Sequence, residues 1–222
     1  MGLRAPRVRV KICGLTRPGD AIAAAQAGAD AIGLVFYPAS PRAVSVAIAR
    51  AICAVLPPFV SRAALFVNES AQRVEQVLAE VPIDTLQFHG DETSEYCASF
   101  GVPFVKAIGV KAGVDVAEEM ARFETASGIL LDSHDRVRRG GTGRAFDWAL
   151  IPGKQPAEQP RAQHPPIILA GGLNPVNVAA AVRTVQPYAV DVSGGVEREK
   201  GIKDAALIAA FMRGVNRVTA FQ

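Results

Sequence analysis

Little in this 222-residue chain points to a cross-linked or metal-built fold. Its three cysteines, Cys13, Cys53 and Cys97, are odd in number, far apart and never in CxxC spacing. That argues against a disulfide framework and against a zinc site, and a reduced, cytoplasmic setting is expected. No apolar run reaches membrane-spanning length. Met1 to Arg7 lacks the apolar core of a signal segment, so a soluble protein without a membrane partner is expected. The formal charge is only +3. Lysine and arginine are dispersed, which leaves no basic run to serve as a nucleic-acid footprint. An anionic small molecule suits that balance without being required by it. Absent too are an Asn-Gly or Asp-Gly hairpin signal and an early GxGxxG turn.

What is present is apolar: 50% of the residues are hydrophobic, enough for one large core. The length suits one α/β barrel or one to two smaller domains. Short β-branched or apolar runs read as strands at Val8–Cys13, Ala31–Phe36, Arg62–Val67, Thr85–His89, Pro103–Ile108, Gly128–Asp132, Ile167–Ala170 and Ala189–Val192. Helical patterns alternate with them, closing with Asp204–Val218. Asn68 suits an N-cap for a helix over Ser70–Glu80, and Asn174-Pro175 suits the start of another through Val185. Phe146–Leu150 has room only for a short helix. Eight right-handed βα units close into a parallel barrel. An open doubly wound sheet is the alternative, disfavoured by the count of eight and the missing GxGxxG. The expected organisation is a single (β/α)8 TIM-barrel domain over 1–222, with a tail at 1–7 and a proline-rich surface loop at 152–166.

In such barrels ligands bind at the carboxyl ends of the strands, with phosphate commonly held after strands seven and eight. Gly171-Gly172 and Ser193-Gly194-Gly195 stand at those two places. Glycine lets backbone amides approach an anion, although tight turns alone would also account for them. Cys13, Arg42, His89, Lys106, Asp132 and Asp191 lie at other strand ends. Taken singly, Cys13 suits a small buried hydrophobe and Asp132 a loop-capping carboxylate. Arg42, after Ser40-Pro41, is either a solvated arginine or a bidentate carboxylate clamp. His89 reads first as a hydrogen-bonded structural histidine. Lys106 and Asp191 read as ion-pair partners at the barrel mouth, and Cys53 and Cys97 as packing. Gly140-Gly141-Thr142-Gly143 forms a further glycine-rich loop after strand six.

Together these residues resemble the phosphoribosylanthranilate isomerase family of tryptophan biosynthesis. The resemblance runs from Val10 to about Asp204. It is carried by Lys11-Ile12-Cys13-Gly14-Leu15-Thr16, Phe36-Tyr37-Pro38-Ala39-Ser40-Pro41-Arg42, Gln87-Phe88-His89-Gly90, Leu131-Asp132-Ser133, Gly140-Gly141-Thr142-Gly143 with Phe146-Asp147-Trp148, Leu169-Ala170-Gly171-Gly172-Leu173, and Asp191-Val192-Ser193-Gly194-Gly195-Val196-Glu197. Their joint order is the specific signal.

The resemblance implies an Amadori rearrangement of N-(5-phosphoribosyl)anthranilate to 1-(2-carboxyphenylamino)-1-deoxyribulose 5-phosphate. That is the third step of the tryptophan branch from chorismate. It implies Cys13 as general base, Asp132 as general acid, Arg42 on the anthranilate carboxylate, and the two glycine turns on phosphate. Lys11, His89 and Asp191 are further candidates for substrate binding. Lys11 shares a strand face with Cys13, and its charge is expected to favour the thiolate. An internal proton shift needs no cofactor or metal. The expected partner is a small phosphosugar, with the protein a monomer or homodimer.

Two departures stand out. Gly194 replaces a serine usual in the family, and Lys200 stands where a proline commonly precedes the Gly-Ile-Lys-Asp segment. Another phosphosugar barrel, such as the aldose–ketose isomerase of histidine biosynthesis, would rely on paired aspartates. A silent phosphate-binding barrel would be expected to have lost Cys13 or Asp132. Fold alone does not separate these readings; the site residues do.

Overall fold

A computed structural model describes residues 7–111, 113, 115–133, 148, 151 and 165–219. The elements run β1 (Arg9–Cys13), α1 (Pro18–Gln26), β2 (Ala31–Val35), α2 (Val46–Ala54), β3 (Ser61–Phe66), α3 (Ala71–Glu80), β4 (Thr85–Phe88), α4 (Ser94–Ala98), β5 (Phe104–Val110), α5 (Val116–Ala121), β6 (Gly128–Ser133), β7 (Ile167–Leu169), α6 (Val178–Val185), β8 (Ala189–Val192), β9 (Glu197–Glu199), β10 (Ile202–Lys203) and α7 (Ala205–Thr219). Strands β1 to β8 form a closed parallel barrel in chain order, with β8 paired back onto β1. The expected TIM barrel is therefore the fold. Gly140–Gly143, the short helix near Phe146 (Trp148 apart) and most of 152–166 lie outside the described residues, as does the tail before Arg7.

Alternation along each strand builds two layers. Val10, Ile12, Ile32, Leu34, Ala64, Phe66, Leu86, Phe88, Ile129, Leu131, Leu169, Val190 and Val192 face outward into one continuous core shared with the helices. Smaller sets fill the inside: Cys13, Val35, Leu65 and Val67 form one, and Ala107, Leu130 and Ala170 another. A strand buried on both faces reads as an unbroken apolar run, which is why these runs stand out in the sequence. Aromatic rings concentrate where β4 meets α4. Phe88, fully buried, lies 5.7 Å from Tyr96, 5.9 Å from Phe100, 6.3 Å from Phe104 and 6.4 Å from Phe66 between ring centroids. Cys53 and Cys97 are buried free thiols, as packing requires.

Three local expectations are corrected. Asn68 does not cap α3: Ser70 does, its hydroxyl accepting from the Arg73 amide at 3.3 Å. Asn68 instead takes a left-handed φ of 49° and accepts from the Asp91 amide, tying the end of β3 to the loop after β4. The stretch Asn174-Pro175 is a turn ahead of α6, because the Asn174 side chain takes the amides of Val176 and Asn177. Such side-chain acceptors hold a turn in place of helical bonds. A hairpin also exists where no Asn-Gly or Asp-Gly signal marks one. Strands β9 and β10 pair antiparallel, and Gly201, following Lys200, takes a φ of 81°.

Replacing Phe88 by alanine removes the centre of the aromatic cluster from a site with no solvent access. A loss of about 3–5 kcal/mol in unfolding free energy is expected, measured by urea denaturation.

Candidate active site

The carboxyl ends of the barrel strands open into a cavity of about 940 Å³, within the usual range for small-molecule sites. Cys13, Arg42, His89, Asp132, Asp191 and the turns at Gly171-Gly172 and Ser193-Gly194-Gly195 all line it. Lys11 is absent from this lining. It is buried beneath, where its Nζ donates to Asp191 Oδ1 at 2.9 Å across the β1–β8 seam.

Cys13 is the last residue of β1 and projects inward with Lys11, two residues before it. Its neighbour in the parallel register is Gly33 of β2. A Cβ at Gly33 would meet the Cys13 Sγ at 2.7 Å and Lys11 Nζ at 3.1 Å, so only glycine leaves room for both groups. Burial pushes the Cys13 thiol above its ordinary value of 9.0. Asp191 pushes the same way, and Lys11 and Lys203 pull back without overcoming the two. Lys11 acts in the expected direction, toward the thiolate, but burial outweighs it. It is the strongest downward influence on the thiol, ahead of Lys203, and burial together with the Asp191 charge exceeds it.

Asp132 lies near the end of β6, three strands from β1 by way of β8 and β7. His89 Nε2 stands 3.3 Å from Asp132 Oδ2, and Ser133 Oγ lies 3.5 Å from Oδ1. On the other side of the ring, the amide nitrogen of Gln87, a buried residue, is 3.3 Å from His89 Nδ1. An amide N–H can only donate, so Nδ1 accepts and Nε2 carries the proton facing Asp132. His89 is therefore hydrogen-bonded, as a structural histidine is, yet its partner is the candidate acid. Lys106 and Asp191 are not partners of one another. Lys106 shares its strand face with Phe104 and Ile108, and its Nζ donates to Glu92 Oε2 at 2.8 Å and Gly90 O at 2.6 Å. Asp191 belongs to Lys11.

The glycine turns are braced from behind. The side-chain amides of Asn174 and Asn177 both donate to Gly172 O, at 3.4 and 2.9 Å. After β8 a three-residue 3-10 turn, Gly194–Val196, opens directly from Ser193. Gly195 packs so close to the neighbouring loop that a Cβ would fall 1.9 Å from Leu173 O. Lys203, brought back by the β9–β10 hairpin, donates from Nζ to Ser193 O at 3.1 Å and to Glu197 Oε1 at 2.8 Å. Glu197 in turn grips Arg42 by two bonds of 2.7 Å. Burial pushes the Glu197 carboxyl up, but Arg42 and Lys203 outweigh it and hold it below its ordinary range. Glu197, Lys203, Gln87 and Gly33 are site residues that sequence reading missed. Glu197 and Gln87 stood within quoted motifs and Lys203 within the Gly-Ile-Lys-Asp segment, all without a role, and Gly33 stood in none.

A closed parallel barrel with a thiol, a carboxylate and two braced glycine turns at the carboxyl ends of its strands is the plan of a (β/α)8-barrel enzyme for phosphorylated ligands. The comparisons with known proteins narrow this class. A family model for N-(5'phosphoribosyl)anthranilate (PRA) isomerase matches residues 10–214, and the chain belongs to that family. A Pseudomonas fluorescens N-(5'-phosphoribosyl)anthranilate isomerase is 57% identical over 212 residues, covering 96% of this chain and 97% of the relative. The crystal structure of the Thermotoga maritima phosphoribosyl anthranilate isomerase superposes with a TM-score of 0.84 at 39% identity, over 95% of this chain and 99% of that one. A second solved phosphoribosyl anthranilate isomerase, in complex with reduced 1-(o-carboxyphenylamino)-1-deoxyribulose 5-phosphate, superposes at 0.80 with 39% identity and the same coverage.

Two outcomes are expected from this geometry. Gly33→Ala crowds Sγ against the strand, so turnover should fall at least tenfold with a lower melting temperature; unchanged kcat would contradict the close approach. Alkylation of Cys13 by iodoacetamide, followed by mass spectrometry of its peptide, should show a pH midpoint above 9.0. Removing the charge of Asp191 in Asp191→Asn removes an upward push on the thiol, so that midpoint should move down.

Proposed function

We propose that this isomerase carries out its Amadori rearrangement with Cys13 as general base and Asp132 as general acid. The observation that carries the assignment is that both side chains open into one cavity whose rim also holds the two glycine turns. The substrate is N-(5-phosphoribosyl)anthranilate. Its phosphate rests on the backbone at Gly171-Gly172 and Ser193-Gly194-Gly195, with Lys203 supplying positive charge from behind. Its anthranilate carboxylate meets Arg42, whose guanidinium lines the same cavity.

The chemistry follows from where the protons go. Asp132 donates a proton to the furanose ring oxygen, and the bond from that oxygen to C1 breaks. The anthranilate nitrogen supplies its lone pair, leaving a cationic Schiff base at C1. That cation acidifies the C2–H bond, and Cys13 takes the proton as its electron pair forms the C1–C2 double bond of an enolamine. Loss of the C2 hydroxyl proton and protonation at C1 give the ketone. The sum is an isomerisation: protons move within one molecule, and no oxidant, reductant or added group enters the balance. A thiolate drawn from a thiol held above its ordinary value is scarce but strongly basic, which suits a carbon acid. His89 supports the acid by holding Oδ2 in place, with Gln87 fixing its tautomer.

The protein acts on a small soluble phosphosugar in the cytoplasm, as a monomer or homodimer, independently of nucleic acid or membrane. The whole chain, 1–222, is read as one barrel domain. Among the described residues no helix is long and apolar enough to cross a membrane.

Asp132→Asn keeps the shape of the acid but not its proton. Turnover should fall by about three orders of magnitude or more, while the reduced product analogue still binds within about tenfold of wild type. Wild-type turnover in that variant would remove Asp132 from the acid role.

A further inference from the structure

Arg42 does not stand free at the rim. Its Nε and Nη2 donate to the two oxygens of Glu197, each at 2.7 Å, in the parallel fork that fixes a guanidinium plane. The Glu197 side chain is 5% exposed and the Lys203 side chain 1%. Arg42 lines the cavity, whereas Glu197 and Lys203 do not. Lys203 donates to Glu197 Oε1, the oxygen that also takes Arg42 Nε, and is itself held by Ser193 through Nζ and by Asp20 through its backbone amide. Arg42 Nη1 makes no hydrogen bond among the described residues. The Nη2 group passes beside Gly194, where a Cβ would approach it to 3.3 Å.

We propose that Glu197 is a positioning residue that presents Arg42 to the carboxylate of the substrate. Its buried fork spends one edge of the guanidinium and leaves the other edge aimed at the cavity. This rests on the reading of Arg42 as the carboxylate contact. Two cations flank one anion in the trio, so a positive charge remains to attract a carboxylate. A free arginine side chain would have to be ordered at the moment of binding; here that ordering is done by the fold. Because Lys203 also donates to Ser193, the same buried trio sets the spacing between the carboxylate contact and the phosphate turn. Glu197 touches no ligand, so its removal should alter discrimination for the carboxylate rather than the proton transfers.

The test compares two ligands: the reduced product analogue, and the same molecule with a phenylamino group in place of the carboxyphenylamino group. Calorimetric affinities for both give a carboxylate preference, measured for wild type, Arg42→Ala, Glu197→Gln and the double variant. Arg42→Ala should abolish the preference. Glu197→Gln should reduce it about five- to tenfold, the cost of ordering a loosened arginine. The double variant should match Arg42→Ala alone. Glu197→Asp keeps the charge beside Lys203 but shortens the reach. It should narrow the preference in the same sense, and serves where the glutamine variant does not fold. A preference intact in Glu197→Gln or Glu197→Asp, while Arg42→Ala abolishes it, overturns the positioning role alone. A preference intact in Arg42→Ala overturns the carboxylate contact and the inference with it.

Discussion

The buried ion pair between Lys11 and Asp191 fixes the seam on which the rest of the site depends. The two residues are partners in the β1–β8 register, and their side chains meet at 2.9 Å with 11% and 8% exposure. A pair this deep contributes little net stability, because desolvating two charges costs about as much as their attraction returns. What it secures is register. Slipping β1 by one residue against β8 would turn Lys11 and Cys13 toward the helices and bring Val10 and Ile12 inside. Every other contact at this mouth assumes that alignment: Cys13 over Gly33, Ser193 beside Lys203, and Arg42 beside Gly194.

The same seam sets the chemical character of the thiol. Positive groups surround Cys13, yet each has a committed partner: Lys11 with Asp191, and Lys203 and Arg42 with Glu197. Burial therefore governs the sulfur, and its pKa rises. The chain of paired charges provides a fixed polar frame whose downward pull on the thiol does not overcome burial. In the proposed mechanism that frame leaves the carboxylate and phosphate of the substrate to complete the electrostatics, and the cationic Schiff base forms between them. Asp132 stands apart, three strands away, held by His89 and Ser133 rather than by a buried cation. Acid and base are thus built in separate surroundings on a common rim.

Much of this was legible in the residue order. Strands covered on both faces show as unbroken apolar runs, and their eightfold alternation with helical segments is the barrel. Residues at the strand ends follow from that frame, which is why Cys13, Asp132 and both glycine turns fall on the cavity. Other features depend on contacts that local pattern does not encode. Glu197 meets Arg42 across 155 positions of sequence, and Gly33 matters only because β2 lies beside β1 in one register. Asn68 carries the composition of a helix cap but is drawn away by the loop after β4. The β9–β10 hairpin turns on Gly201 following lysine, outside the usual two-residue signals. Lys11 is legible on the face of Cys13 and acts on it in the expected direction, but the burial and the Asp191 charge that outweigh it are invisible from Lys11 and Cys13 alone.

The most direct measurement is turnover of freshly made N-(5-phosphoribosyl)anthranilate, followed by the loss of its fluorescence, for wild type beside Cys13→Ser. The serine hydroxyl fits the space of the thiol and is a far poorer base at neutral pH. The account predicts rapid conversion by the wild type. The variant should fold and still bind the reduced product analogue, but its kcat should fall by about three orders of magnitude or more. Wild-type turnover in Cys13→Ser would contradict the assignment of the proton abstraction to Cys13.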